Sequence, residues 1–151
     1  MKIYKILYET MADGPGIRNS VYVAGCLHKC PGCHNPQTWD YEGAQELSID
    51  EICDLVLKNG CDITISGGDP MYQSVELKEL CKKLKEVGRN IWVYTGFKIE
   101  DLGYSQREVL KYIDVLVDGP FDIESRETTR FCGSSNQRII YLENGEIKRI
   151  E

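Results

Sequence analysis

The chain has 151 residues, of which 24 are acidic and 18 are basic, and its formal net charge at pH 7 is −6. Such a chain lacks the clustered Lys and Arg residues that general affinity for nucleic acid or anionic membranes requires. Its length is typical of one domain. We therefore predict a single domain over residues 1–151, with proteins and small molecules as its partners and neither nucleic acid nor membrane among them.

The N-terminal segment has no uninterrupted apolar stretch, and no later segment has the roughly 20 apolar residues of a membrane-spanning helix. The seven cysteines are an odd number. Because no secretory signal is recognised, we expect metal or redox chemistry rather than a disulfide framework. The sequence predicts a cytoplasmic protein with reduced thiols.

The predicted elements alternate between strands and helices along most of the chain. Residues 2–8 and 20–24 are the first predicted strands. Amphipathic helical segments then separate three short apolar strands, at residues 62–66, 91–94 and 113–117. Strands separated by helices of this length pair in parallel.

Two capping-box patterns predict where helices begin. Ser48 is followed three residues later by Glu51, and Ser105 is followed by Glu108. In this pattern the serine hydroxyl accepts a hydrogen bond from the backbone amide of the glutamate. We expect one helix to begin after each serine.

The end of the chain carries the Asn144-Gly145 pair, which is the strongest short hairpin signal, between strand-like residues 138–142 and 146–150. A complete eight-fold β/α barrel needs about 200 residues or more. We therefore predict an α/β fold, an open partial β/α barrel with mainly parallel strands and a C-terminal β-hairpin.

Three cysteines, Cys26, Cys30 and Cys33, follow the strand at residues 20–24. Gly25 and Gly32 free the backbone to wrap around an inorganic centre. A cubane cluster has four irons, so three thiolates leave one iron open to a substrate. The spacing thus suits a catalytic 4Fe–4S cluster, although spacing alone does not separate it from a zinc site.

A structural zinc site is the alternative for the same loop, because His28 or His34 could complete a Cys3His tetrahedron. Zinc ribbons usually bring a second closely spaced cysteine pair, whereas the other cysteines here are scattered. A ferredoxin-like carrier is disfavoured because its cluster normally takes four cysteines. A zinc-stabilised binding module stays open beside the catalytic cluster.

Polar or glycine-rich residues follow the predicted parallel strands. Gly67, Gly68 and Asp69 follow one strand, Thr95 follows the next, and Asp118 follows the third. Each turn alone is also typical of an ordinary strand-to-helix connection. Because the carboxyl ends of parallel strands meet at one edge, we expect these residues to form one site with the cysteines. A buried carboxylate such as Asp118 also needs a cationic partner, such as a ligand or metal ion.

The cysteine triplet and the Gly-Gly-Asp-Pro segment that begins at Gly67 resemble the signature of the radical S-adenosylmethionine superfamily. Residues 13–18, which end at Arg18, are similar to a segment of the activases that install glycyl radicals on anaerobic enzymes, as are His34 and Asn35 after the triplet. By turn chemistry alone, residues 13–18 indicate only a surface turn.

Residues 117–121 and 133–138 are similar to one branch of these activases, which acts on anaerobic (class III) ribonucleotide reductase. The resemblance implies that one 4Fe–4S cluster per chain reductively cleaves S-adenosyl-L-methionine, and that the resulting radical removes a hydrogen from a glycine of the anaerobic ribonucleoside-triphosphate reductase. A flavodoxin- or ferredoxin-like protein is the implied electron donor. A pyruvate formate-lyase-type activase and a 7-carboxy-7-deazaguanine synthase-like enzyme are alternatives within the superfamily.

The resemblance also implies site residues. Many superfamily members carry an aromatic residue where this chain has Gly32, so the backbone around it is expected to contact the adenine, with His34 as a neighbour. No catalytic side chain is implied beyond the cluster and the cofactor. The implied cluster ligands are Cys26, Cys30 and Cys33, and the implied S-adenosylmethionine contacts are Gly32, His34, Gly67, Gly68, Asp69, Thr95 and Asp118.

Overall fold

The computed structural model describes residues 1–127 and 130–151, which form one mixed sheet with three α-helices in this described part of the chain. Every strand predicted from the sequence is present, with bounds that shift by a few residues, and a two-residue strand is added. The strands are β1 (Lys2–Thr10), β2 (Arg18–Val23), β3 (Gln45–Glu46), β4 (Asp62–Gly67), β5 (Ile91–Tyr94), β6 (Val115–Asp118), β7 (Arg138–Glu143) and β8 (Glu146–Ile150), and the helices are α1 (Ile49–Val56), α2 (Ser74–Glu86) and α3 (Tyr104–Val109).

The sheet is open and has the strand order β3-β1-β2-β4-β5-β6-β7-β8. The four central strands, β2, β4, β5 and β6, pair in parallel, and all other neighbours pair antiparallel. The prediction of mainly parallel strands is therefore wrong for the sheet as a whole. Parallel pairing needs a crossover, and only the central strands have an α-helix between them.

The two faces of the sheet differ because successive strand residues point to opposite sides. Ile63 and Ile65 of β4 pack with helix residues such as Leu80 in the main core. Thr64, which lies between them, faces the other side, where its hydroxyl donates to the carbonyl of Asp13. The segment between β1 and β2 therefore lies against the face opposite the helices.

The first capping box is confirmed, because the Glu51 amide donates to the Ser48 hydroxyl at 3.1 Å. The second prediction is wrong. Helix α3 has Gly103 at its N-cap, and the Gly103 amide donates to Gln106 Oε1 at 2.9 Å. The Ser105 hydroxyl is instead hydrogen-bonded to the hydroxyl of Ser74, the first residue of α2. A tertiary contact therefore replaces the helix cap that the local pattern predicted for Ser105.

The C-terminal hairpin is confirmed. Asn144 and Gly145 have φ angles of 51° and 84°, as a type I′ turn requires. None of the helices in the described ranges has the length and apolar character needed to cross a bilayer. Placement in the cytoplasm stays a prediction.

Candidate functional site

A cavity of about 450 Å³ lies at the carboxyl ends of the parallel strands. Its wall includes Ser66 from β4, Tyr94 from β5 and Gly119 just after β6. The volume falls within the roughly 300–1,000 Å³ of small-molecule sites. The fold thus brings together the strand ends that the sequence analysis grouped.

Most of the residues predicted for the site line this cavity. Gly32 and Asp118 are the exceptions among the predicted residues, and the structure gives a reason for each. The predicted residues in the wall are Cys26, Cys30, Cys33, His34, Gly67, Gly68, Asp69 and Thr95. Their roles as cluster ligands and cofactor contacts stay predictions at this point.

The cysteine loop leaves β2 and folds back on itself with three left-handed residues. Gly25, Lys29 and Gly32 have φ angles of 99°, 49° and 72°. The Cys26 amide donates to the carbonyl of Trp39 at 2.9 Å, which closes the base of the loop. These turns place three free thiols around one end of the cavity.

Backbone amides contact two of the sulfurs. Burial raises the pKa of the Cys26 thiol, and backbone hydrogen bonds from His28 and Lys29 oppose that shift. The Asn35 amide lies 3.4 Å from the Cys33 sulfur. Amide donors favour the thiolate, which is the form that binds metal. The donor chemistry therefore suits an iron–sulfur centre.

Among the described residues, no group of three or more His, Cys, Asp or Glu side chains is arranged to share one metal ion. The thiolates of a cubane each bind a different iron, so they need not converge on a single point. His28, one of the two candidates for a fourth zinc ligand, has its Nε2 atom 2.6 Å from a carboxylate oxygen of Asp69. In this structure, the Nε2 atom of His28 is therefore engaged by Asp69 and not directed at the three cysteines.

The Asp69 carboxylate is buried and has four hydrogen-bond partners among the described residues. It accepts hydrogen bonds from the Thr95 hydroxyl at 2.9 Å, the Gly96 amide at 2.9 Å and the Met71 amide at 3.0 Å. The His28 imidazole is the fourth. The carboxylate therefore holds the turn after β4 to the end of β5 and to the cysteine loop.

Gly67 and Gly68 let this turn approach the start of the cysteine loop. A Cβ atom on Gly68 would lie 2.5 Å from the carbonyl oxygen of Gly25, and one on Gly67 would lie 2.4 Å from the Val23 amide nitrogen. The Gly68 amide donates to the Val23 carbonyl, and the Asp69 amide donates to the Gly25 carbonyl, both at 2.8 Å. Any side chain at these positions would separate the two backbones.

The position before the third cysteine has a left-handed backbone and lies against the side chain of Ile123. A Cβ atom on Gly32 would lie 2.3 Å from Cδ1 of Ile123. At the neighbouring position, the His34 ring packs against Phe121 with 4.9 Å between ring centroids. Both rings line the cavity. The left-handed backbone at Gly32 and its contact with Ile123 both disfavour a larger residue at position 32.

Asp118 is buried, and its cationic partner is Arg138 of the adjacent strand rather than a ligand or metal ion. Arg138 also contacts Glu100 through two hydrogen bonds of 2.7 and 2.8 Å. The expectation that a buried carboxylate needs a positive partner was sound, but that partner belongs to this chain. A direct contact between Asp118 and S-adenosylmethionine stays a prediction.

Sequence reasoning missed several lining residues, because all of them except Tyr94 of β5 come from loops that have no periodic pattern. One sequence signal was present for some of them: they lie in residues 13–18, 34–35, 117–121 or 133–138, the segments that resemble the activases. The additional side chains in the wall include Asp13, Asn35, Trp39, Tyr94, Phe121, Arg130, Phe131, Cys132 and Gln137.

Arg18 positions one of these loops without lining the cavity. Its buried guanidinium donates to the Thr64 hydroxyl at 2.8 Å and to the Pro15 carbonyl at 3.1 Å. Asp13 of the same loop is hydrogen-bonded to the Tyr22 hydroxyl. Burial, followed by this hydrogen bond, raises the pKa of Tyr22. The loop therefore presents Asp13 to the cavity in a defined position.

Two donors in the cavity wall have no partner among the described residues. They are Nε1 of Trp39 and Nε of Arg130, and both atoms are buried. Buried donors in native proteins are nearly always paired with protein, water or ligand. The three free thiols, with backbone amides directed at two of them, fit a wall that surrounds an iron–sulfur cluster.

Comparison with known protein families gives one match that covers most of the chain. A family described as a 4Fe-4S single cluster domain matches residues 12–140. The anaerobic ribonucleoside-triphosphate reductase-activating protein of Escherichia coli (strain K12) is 35% identical over 144 residues, which cover 87% of this chain and 93% of that protein. The protein of the same name from Enterobacteria phage T4 is 36% identical over 135 residues, which cover 84% and 85%.

Among solved structures, QueE from Escherichia coli is similar to this chain with a TM-score of 0.54 at 17% sequence identity. The match covers 63% of this chain and 51% of QueE. At this level of identity, the likeness shows a shared fold and nothing about the reaction.

Proposed function

This chain belongs to the family of anaerobic ribonucleoside-triphosphate reductase-activating proteins, and we propose on that premise that its cavity serves glycyl-radical activation. It is a radical S-adenosylmethionine enzyme with a 4Fe–4S cluster, and its protein substrate is the anaerobic ribonucleoside-triphosphate reductase. The observation that supports this function most directly is that three free cysteines share one cavity with the Gly-Gly-Asp turn.

Cys26, Cys30 and Cys33 would hold the cluster and leave one iron without a protein ligand. When bound, the cluster supplies the electron for reductive cleavage of S-adenosylmethionine. Gly67 and Gly68 let the turn after β4 lie directly against the backbone at the start of the cysteine loop, which keeps the two segments of the proposed site together. The contribution of the chain is to orient the bound groups and to keep water from them.

We infer that the open sheet is a partial β/α barrel and that residues 1–151 form one radical S-adenosylmethionine domain. The support is the four-stranded parallel centre, the site at its carboxyl edge and the likeness to QueE. An open sheet leaves a side through which a protein substrate can bring a glycine to the cavity. A flavodoxin- or ferredoxin-like electron donor stays a prediction.

The function is tested with protein reconstituted without oxygen, then reduced and mixed with S-adenosylmethionine and an anaerobic reductase. We expect a glycyl radical signal by electron paramagnetic resonance (EPR). Cys30→Ala should abolish the signal because it removes a cluster ligand. Cys61→Ala is the matched control, since Cys61 precedes β4 and does not line the cavity. A radical formed by Cys30→Ala, or none formed by the unaltered chain with a competent reductase, would contradict the proposal.

Metal content separates this function from a zinc-stabilised binding module. Protein purified without oxygen should be brown and contain about four irons and four sulfides per chain, as a single cubane requires. Colourless protein with one zinc per chain would instead support the binding module.

A further inference from the structure

His28 lies between the first two cluster cysteines and is packed in a slot of the cavity wall. Its ring is 4.6 Å from the Phe97 ring and 5.5 Å from the Tyr72 ring, centroid to centroid. A Cβ atom on Gly96 would lie 2.7 Å from Cδ2 of the imidazole. The end of β5 and the turn after β4 therefore form a slot that matches one flat ring.

The imidazole makes one directed polar contact inside this slot. Its Nε2 atom is 2.6 Å from Oδ2 of Asp69. A carboxylate can only accept, so the imidazole nitrogen is the donor. Hydrogen bonds with one ionised partner are shorter and stronger than neutral ones, and the Asp69 side chain is only 1% exposed.

This contact joins three segments of the chain. Asp69 belongs to the turn after β4 and accepts hydrogen bonds from Thr95 and Gly96 at the end of β5. Within the described residues, no other side chain between Cys26 and Cys33 is hydrogen-bonded to either strand end. The side chain of His28 is thus the polar link from the middle of the cysteine loop to the Asp69 network.

We propose that His28 is a positioning residue for the radical reaction. Its donation to Asp69 holds the loop of Cys26, Cys30 and Cys33 against the turn of Gly67 and Gly68, and thereby sets where the open iron stands relative to the cofactor. The proposal rests on the function proposed above. His28 acts indirectly, through Asp69 and through the position of the cysteine loop. Such an effect can be large, because displacement of a reacting centre by about 1 Å can cost about 100-fold in rate.

Two substitutions separate positioning from simple packing. His28→Phe keeps a ring in the slot beside Tyr72 and Phe97 but removes the donor. His28→Gln loses the ring and retains an amide N–H at a similar distance from the backbone. Ser105→Ala is the control, because it also removes one side-chain hydrogen bond, to Ser74, but does not line the cavity.

The experiment uses the full chain reconstituted without oxygen. Iron and sulfide are counted, the reduced cluster is examined by EPR with and without S-adenosylmethionine, and the affinity for the cofactor is taken from that spectral change. We expect His28→Phe to retain iron and to bind S-adenosylmethionine about tenfold more weakly, with a smaller spectral change. His28→Gln should recover most of the affinity for S-adenosylmethionine and most of the spectral change. Ser105→Ala should match the unaltered chain in both.

Normal affinity and a normal spectral change in His28→Phe would overturn the proposal. If His28→Phe loses iron, His28→Gln decides: recovery of iron and of cofactor binding supports the proposal, and failure to recover either shows that the ring serves only packing. The unaltered chain is the separate test of the proposed function. Without a cluster or a cofactor-dependent change in that chain, the function fails whatever His28 does.

Discussion

Arg138 of β7 lies directly opposite Asp118 of β6 in the antiparallel pairing of these two strands. The Arg138 Nε atom is 3.0 Å from Oδ1 of Asp118, and its Nη2 atom is 2.5 Å from Oδ2. Asp118 is buried, whereas about a third of the Arg138 side chain is exposed. The hydrogen bonds to Glu100, followed by those to Asp118, raise the pKa of Arg138. The pair connects the last parallel strand to the antiparallel hairpin.

Replacing Arg138 with Gln should lower the free energy of unfolding by about 2 to 3 kcal/mol, because a buried carboxylate loses its positive partner. Denaturant unfolding measures this change. Lys148→Gln is the control, since its contact with Glu143 is 3.8 Å long and exposed, and it should change stability by less than about 0.5 kcal/mol. An equal change in the free energy of unfolding for both substitutions would show that the buried pair of Asp118 and Arg138 stabilises the fold no more than an exposed ion pair does.

Acid should weaken the contact between Glu100 and Arg138. The hydrogen bonds from Arg138 hold the pKa of Glu100 at about 2, below its ordinary value of 4.5. A carboxylate with a depressed folded-state pKa contributes stability above its unfolded pKa and loses it as the pH falls toward the folded value. The Tm difference between the unaltered chain and Glu100→Gln should therefore shrink between pH 5 and about pH 2. A difference that is as large at pH 2 as at pH 5 would contradict this assignment.

Gly68→Ala should disturb the site because its Cβ atom would meet the backbone of Gly25. We expect a loss of about 1 to 3 kcal/mol in unfolding free energy, as in overpacked cores, and weaker binding of S-adenosylmethionine. Gly60→Ala is the matched control, since a Cβ atom on Gly60 would have no neighbour within 4 Å. That substitution should change stability by less than about 1 kcal/mol. Equal effects at the two glycines would exclude the close approach as the cause.

Trp39→Phe tests the unpaired indole donor in the cavity wall. Trp39 lines the cavity, and its carbonyl accepts from the Cys26 amide, so the residue is joined to the first cysteine of the triplet. Hydrogen bonds to cluster sulfurs influence the reduction potential, and loss of a donor should make the potential more negative. The chain's other tryptophan provides the control, because Trp92 does not line this cavity. Identical potentials in Trp39→Phe and Trp92→Phe would show that the indole N–H serves neither cluster nor thiolate.

The sequence by itself determined the features that depend on near neighbours in the chain. The bounds of β5 agree with the prediction, as does the Ser48 cap, because strand patterns and caps are set within a few residues. The spacing of the three cysteines placed three candidate metal ligands in one loop, for a zinc site or for a cluster with an open iron, because ligands in one loop are also local. The Asn144-Gly145 turn was also predicted from neighbouring residues, because the two residues themselves determine the turn type.

Only the tertiary structure decided which distant groups meet. His28 and Asp69 are 41 residues apart, and Asp118 and Arg138 are 20 apart. No periodic pattern reports such pairs, because a hydrogen bond forms only where the fold brings donor and acceptor to about 3 Å. The same reason explains the wrong Ser105 cap, whereas the outer strands pair antiparallel because no α-helix of the described residues connects them to their neighbours. Local chemistry thus predicted the cluster loop, and long-range packing selected the partners that hold it.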